Sequence, residues 1–234
     1  MNARGAVGRR NLGAMRDRTA LITGGSGYLG VAVTEAFLED GWRVVVPWFY
    51  VAELDRLGEH EGLDTVEADL TDPDDVARAV RVATGDEEAP LRALVNLVGG
   101  FAAGQPVAEA PLADFEAQFA LNLRPTYLVT QCVLQNMGPE GAIVCVSSRA
   151  ALHPFAGAAG YCASKAAVLA FAQVVAQEGV RCNAIVPRKI DTPANRAAEP
   201  DSTDYGTPPA EVAKVIRFLC SDASAAVNGA AVPV

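Results

Sequence analysis

Six short runs rich in Val, Ile and Leu recur along the chain: TALITG, RVVVPW, DTVEADL, RALVNLVG, GAIVCVS and RCNAIVP. Each ends near a glycine, a proline or a polar breaker. Helix-length segments lie at 30–40, 72–83, 113–137, 161–178 and 209–221, and the terminal GAAVPV reads as a last strand. Strands apolar on both faces that alternate with helices have one economical solution, a parallel sheet covered by helices on each side. Right-handed crossovers make that sheet doubly wound. With 234 residues and no internal repeat or linker, the chain is expected to be a single α/β domain over residues 15–234. Residues 1–14 are basic without an apolar signal core, so they are expected to form a disordered tail or extension, with Met15 a candidate natural start.

Local signals support these helices. Asp72 precedes Pro73, an N-cap residue followed by proline at the first helical position, and Thr71 is a second candidate cap. Within 161–178, Ala163, Ala166, Ala167, Ala170, Phe171, Val174 and Val175 recur with helical period. So many small residues imply close packing. The segments 113–137 and 161–178 are therefore the expected contact between copies in a homodimer or homotetramer.

Composition narrows the partners. A net charge of −9 argues against nucleic acid, which needs a basic face. No apolar stretch reaches the roughly eighteen residues of a membrane span, so no membrane partner is expected. The five cysteines form no Cys-x-x-Cys pair and are odd in number, as expected of reduced thiols in the cytoplasm. Only His60 and His153 could join them at a zinc site, so no metal is expected. What remains is a small-molecule substrate.

The first strand runs into ALITGGSGYLG, where Gly25, Gly27 and Gly30 make a G-x-G-x-x-G at the opening of a helix. Glycines at those points let the backbone turn tightly and approach a pyrophosphate seated at the helix N-terminus. A tight strand-to-helix turn without a ligand is the plainer alternative. Asp69, in EADLT, is placed at the end of the third strand, where its carboxylate accepts from an adenine amino group or else caps the next helix.

A second cluster lies in SSRAALHPFAGAAGYCASKAA, residues 147–167. Tyr161 follows Ser148 by thirteen residues, and Lys165 follows Tyr161 by four, which places both on one side of a helix. A phenol with its usual pKa near 10 is a poor base at neutral pH, and an adjacent ammonium favours its ionised form. Taken singly, these residues are ordinary strand-end and helix-start residues. Taken jointly, their spacing points to proton transfer.

TGGSGYLG, DLT, NLVG, SS, YCASK and PRKIDT, in that order and at those separations, resemble the short-chain dehydrogenase/reductase family across about residues 18–234. The resemblance implies an NAD(P)-dependent Rossmann oxidoreductase with about seven strands in the order 3-2-1-4-5-6-7. It implies that Tyr161 is the general acid or base, that Ser148 polarises the substrate oxygen and that Lys165 binds the nicotinamide ribose. Asn122 with its water would replenish the proton through Lys165. Pro125 is expected to kink the helix beside Asn122. The same resemblance assigns the dinucleotide to Gly24, Gly25, Ser26, Gly27, Tyr28 and Leu29 in the glycine loop, and to Trp48, Asp69, Leu70, Asn96, Val98 and Gly99 at the strand ends. Tyr161, Lys165, Pro187, Arg188, Ile190 and Thr192 complete the set.

The chain departs from the family pattern in several places. Tyr28 stands where compact members carry the penultimate glycine, and Asn96-Leu97-Val98-Gly99 replaces the usual Asn-Asn-Ala-Gly. The second strand ends in Pro47, Trp48 and Phe49, with neither the acid that holds the ribose of NAD nor a base for the 2′-phosphate of NADP. The absence of a neighbouring Lys or Arg leans the expectation to NAD. Arg188 replaces a glycine and is either solvated or an attractor of anionic substrate. PANRAAEPDSTDYGTPP is expected to form a small mobile lid, and Phe101, His153, Pro154 and Phe155 are candidate pocket residues. The sequence leaves two alternatives to a carbonyl/alcohol oxidoreductase: a sensor or scaffold that kept the fold, and a reductase of a C=N or pteridine-like bond.

Overall fold

The computed structural model describes residues 16–234; the expected tail and Met15 lie outside them. Among the described residues the strands are β1 (Thr19–Thr23), β2 (Arg43–Trp48), β3 (Leu63–Glu67), β4 (Leu91–Asn96), β5 (Ala142–Val146), β6 (Arg181–Val186) and β7 (Ala231–Pro233). They form one sheet in the order β3-β2-β1-β4-β5-β6-β7, and every pairing is parallel. The helices are α1 (Tyr28–Glu39), α2 (Pro73–Thr84), α3 (Leu112–Asn122), α4 (Arg124–Leu134), α5 (Ala159–Val175), α6 (Pro193–Ala198) and α7 (Pro209–Leu219). None of the described helices is long and apolar enough to cross a membrane.

Successive side chains of a strand point to opposite faces, and both faces here are buried. Ile22, Val44, Val46, Val95 and Val144 pack with Phe37 of α1 and Ile216 of α7. Their strand neighbours Leu21, Val45, Leu94 and Ile143 pack on the other face with Val129 and Val133 of α4 and Val168 of α5. The edge strand β3 is the exception, because Asp64, Thr65 and Glu67 are exposed. Charged residues on an edge oppose pairing with another chain.

The segment expected as one helix over 113–137 is two, α3 and α4, with Leu123 between them. Pro125 has no N–H to offer the carbonyl of Leu121, so the ladder breaks there. The Thr126 hydroxyl donates to the carbonyl of Asn122 instead, at 3.2 Å. The third strand also ends earlier than expected, at Glu67, which leaves Asp69 in the turn before α2. Asp72 alone caps α2, accepting from the N–H groups of Asp74 and Asp75. Thr71, the other candidate cap, instead donates to Asp69 from both its N–H and its hydroxyl.

The junction from β1 to α1 is tight. A Cβ on Gly30 would stand 2.0 Å from the carbonyl oxygen of Gly24 and 2.6 Å from Gly25 Cα, while Gly24 itself has φ of +67°. Neither position suits another residue. The expected outcome for Gly30→Ala is a loss of about 3 kcal/mol or more in unfolding free energy, since the clash is with backbone that cannot rotate away. Urea denaturation followed by circular dichroism measures it.

Candidate active site

α1 begins without a side-chain cap and without an acid in its first turn. α2 has both, in Asp72 and in Asp74 and Asp75. The uncapped N–H groups of α1 therefore face the crevice beside the glycine loop, where helix termini favour anions. Gly24 lies against β4, since a Cβ there would meet the N–H nitrogen of Val98 at 3.2 Å. Across the crevice the buried Asn96 donates to Thr130 Oγ1 at 3.0 Å, and its Oδ1 has no partner. The N–H groups of α1 fit a dinucleotide pyrophosphate, while the Asn96 Oδ1, an acceptor, fits a hydroxyl rather than a phosphate.

Two charged residues missed in the sequence reading join this loop. A single 3-10 run, Val51–Arg56, follows β2. Ser26 Oγ donates to Glu53 Oε2 at 3.0 Å, and Arg56 donates to the carbonyl of Ser26 at 3.2 Å. Arg56 also lies 4.6 Å over the ring of Tyr28. The only sequence signal was a Glu and an Arg three apart in VAELDR, just after the second strand. Arg56 thus brings to the glycine loop a guanidinium that the residues ending β2 do not supply, and Glu53 brings a carboxylate beside it.

The four expected catalytic residues come together on β5, the α3–α4 break and α5. Ser148, two residues past the end of β5, is extended and caps a 3-10 turn, its hydroxyl accepting from the N–H of Ala150 at 3.1 Å. Asn122 is buried; its Oδ1 accepts from the Gly100 N–H at 3.0 Å, and its Nδ2 donates to Ser164 Oγ at 3.1 Å. Ser164 in turn donates to the carbonyl of Tyr161. Lys165 donates to the carbonyl of Val146 at 3.0 Å, while Ser147 holds the Lys165 carbonyl at 2.7 Å. Gly99 completes the group, because a Cβ there would stand 2.6 Å from Asn122 Oδ1 and 3.0 Å from Lys165 Nζ.

The electrostatics differ from the expectation in one respect. The Tyr161 phenol has its pKa raised, not lowered: burial dominates, and the influence of the Ser148 hydroxyl only partly opposes it. Phe101 adds to the enclosure, its ring edge-on to Tyr161 at 4.9 Å and 6.4 Å from Phe155. Burial also lowers Lys165 to about 8. A site of this kind presents a neutral phenol and a cation that is still mostly protonated at pH 7.

The remaining expected cofactor residues take varied positions. Asp69 Oδ1 is engaged by Thr71, and Leu70 lies in the core. Trp48 is half-buried at the end of β2, its carbonyl accepting from the N–H of Ala68. The carbonyl of Pro187 accepts from Arg149, and Arg188 pairs with Asp204. Ile190 bridges to Thr207, and Thr192 caps α6. The expected lid thus contains a helix, tied down by Lys189–Glu199 and Arg196–Asp191 ion pairs. A cavity of about 680 Å³ opens beyond Phe101, between α3 and the start of α5. None of the four catalytic candidates lines it.

Comparison with known proteins gives a consistent picture. The family model for short chain dehydrogenase matches residues 18–203. A 2-(R)-hydroxypropyl-CoM dehydrogenase from Xanthobacter autotrophicus is 33% identical over 240 residues, covering 92% of this chain and 95% of the relative. A short-chain dehydrogenase/reductase from Brucella melitensis, described as a glucose/ribitol dehydrogenase, superposes with a TM-score of 0.86 at 28% identity, over 94% of this chain and 95% of that one. A blue fluorescent protein from a metagenomic library, solved in complex with NADPH, superposes with a TM-score of 0.83 at 25% identity, over 94% and 97% of the two chains.

The buried lysine carries a cost that its pH dependence exposes. Because its folded pKa of about 8 lies below the unfolded 10.5, the unfolded chain binds more protons between those values, and stability rises with pH across that window. Below pH 8 the full penalty, about 3 kcal/mol, is present. Lys165→Met is expected to raise unfolding free energy at pH 7 by about 1–3 kcal/mol and to flatten the rise between pH 8 and 10.5, as read from urea midpoints at a series of pH values.

Proposed function

The chain belongs to the short-chain dehydrogenase/reductase family, and from that premise we propose that Tyr161 is its proton donor and acceptor. The protein is an NAD(P)-dependent oxidoreductase that moves hydride between a nicotinamide cofactor and a carbonyl or alcohol substrate. The observation that carries the assignment is the buried hydrogen-bonded group that joins Asn122 to Ser164, Ser164 to the Tyr161 carbonyl and Lys165 to the Val146 carbonyl at the end of β5, two residues before Ser148.

In the reducing direction Tyr161 donates its proton to the substrate oxygen while Ser148 donates a hydrogen bond to the same atom. The raised phenol pKa keeps that proton in place at neutral pH, so the donor role needs no prior ionisation. In the oxidising direction the phenol must first ionise, and Lys165 stabilises the resulting anion. Asn122, fixed by Gly100 and Ser164, borders Gly99 as Lys165 does, and is assigned the ordering of the route by which the proton is replaced. When bound, the nicotinamide supplies or receives the hydride. Gly24, Gly25, Ser26, Gly27, Tyr28 and Leu29 hold the pyrophosphate. Trp48, Asp69 and Leu70 would serve the adenosine, Asn96, Val98, Gly99 and Lys165 would hold the nicotinamide ribose, and Pro187, Arg188, Ile190 and Thr192 would serve the carboxamide. We favour NAD over NADP as the working form.

The substrate side is apolar. Phe101 is exposed edge-on to Tyr161 with Phe155 beside it, and Arg188 is paired with Asp204, which supports an uncharged substrate. A small ketone or secondary alcohol with an aliphatic or aromatic substituent fits this surface. Helices α4 and α5 present Tyr127 and Val174 to solvent, and these are the proposed contact between copies in a homodimer or homotetramer. Four of the five cysteines are buried and all five are free, as suits the cytoplasm.

Tyr161→Phe is expected to lower kcat by about 10²–10⁴-fold on aryl ketones, with dinucleotide Kd within about threefold of wild type. Equal turnover in both proteins would remove Tyr161 from the mechanism. Sedimentation of the wild type is expected to give a dimer or tetramer mass, and Val174→Asp to lower it; a wild-type monomer would refute the interface.

A further inference from the structure

The reading of the cofactor just given leaves its adenosine end without an obvious recognition group, because β2 ends in Pro47 and Trp48. The position of that end follows from the fold. Tyr161 and Lys165 fix the nicotinamide on the β5 side, and the uncapped start of α1 takes the pyrophosphate. The other half of the dinucleotide must then lie over β2 and the residues that follow it.

There the 3-10 run Val51–Arg56 returns two charges to the glycine loop. Glu53 Oε2 accepts from Ser26 Oγ at 3.0 Å, and Glu53 Oε1 lies 3.3 Å from Arg56 Nη1. Arg56 donates to the carbonyl of Ser26 and stacks 4.6 Å over Tyr28. Ser26 is almost fully buried, while the side chains of Glu53 and Arg56 are each about one-third exposed. The group is therefore a closed unit that still presents a charged edge to the crevice.

We propose that Glu53 reads the adenosine ribose, accepting from its 2′-hydroxyl and selecting NAD(H) over NADP(H), with Arg56 as the positioning residue. A carboxylate has acceptor capacity left after one bond from Ser26 and one contact with Arg56. A ribose hydroxyl needs such an acceptor. A 2′-phosphate would meet the same carboxylate and be repelled, and the one guanidinium close by is already matched by Glu53 and occupied by the Ser26 carbonyl. Glu53 thereby replaces the acid that the second strand lacks, from a position five residues beyond Trp48.

The test is fluorescence titration of the full chain with NADH and with NADPH, in wild type, Glu53→Gln and Arg56→Met, with thermal melts to confirm folding. Wild type is expected to bind NADH at least about tenfold more tightly than NADPH. Glu53→Gln keeps an acceptor for Ser26 but loses the charge, and is expected to cut that ratio by about tenfold or more. Arg56→Met is expected to weaken both ligands while keeping the preference for NADH. Equal affinities or a preference for NADPH in the wild type, or an unchanged ratio in folded Glu53→Gln, would overturn the proposal and leave the hydride-transfer function standing. Binding of neither nucleotide would overturn that function as well.

Discussion

The backbone contact between Gly24 and Gly30 is the constraint on which the rest depends. With no room for a Cβ at Gly30, α1 begins directly where β1 ends, and its free N–H groups open at the carboxyl edge of the sheet. Because β4 pairs with β1 on one side and β2 on the other, that edge divides here. Such a division is where open parallel sheets bind ligands. The glycines therefore decide at once how the first crossover packs and where a dinucleotide can lie.

The chemistry is built on groups that work against stability. Asn122, Ser147, Ser148, Ser164 and Lys165 are all buried, and Lys165 is the one charged side chain among the buried polar residues described. Their hydrogen bonds are mutually dependent: Asn122 reaches Ser164, Ser164 reaches the Tyr161 carbonyl, and Ser147 reaches the Lys165 carbonyl. Partners of this kind offset desolvation without removing it. The depressed pKa of Lys165 is the visible remainder. The same desolvation keeps the Tyr161 proton on oxygen, so stability is given up where the proton is held for use.

The two ends of the crevice contrast. At the nicotinamide end the polar groups sit on strand ends and regular helices, whose positions the core fixes. At the adenosine end they sit on a six-residue 3-10 run with no buried residue of its own. Hydrogen bonds from Ser26 to Glu53 and from Arg56 to the Ser26 carbonyl join that run to the glycine loop.

Much of this was legible in the linear chain. Alternating β-rich runs and helix-length segments, the glycine spacing and the Ser148, Tyr161 and Lys165 interval all depend on local geometry, and the sheet formed in the expected order. Pro125 announced the break that divides α3 from α4, because a missing N–H is a property of one residue. The direction of the Tyr161 pKa was not legible, since burial by Phe101 and its surroundings outweighs what the nearby ammonium suggested. Nor was the partnership of Ser26 with Glu53 and Arg56, which lie 27 and 30 residues away and meet only through the β1–β2 crossover. The sequence by itself determined the elements, their order and which side chains are candidates for the chemistry, because period, spacing and residue chemistry are carried locally. Only the tertiary structure decided which charges face one another and how dry each group is, because those depend on neighbours that the chain brings together from a distance.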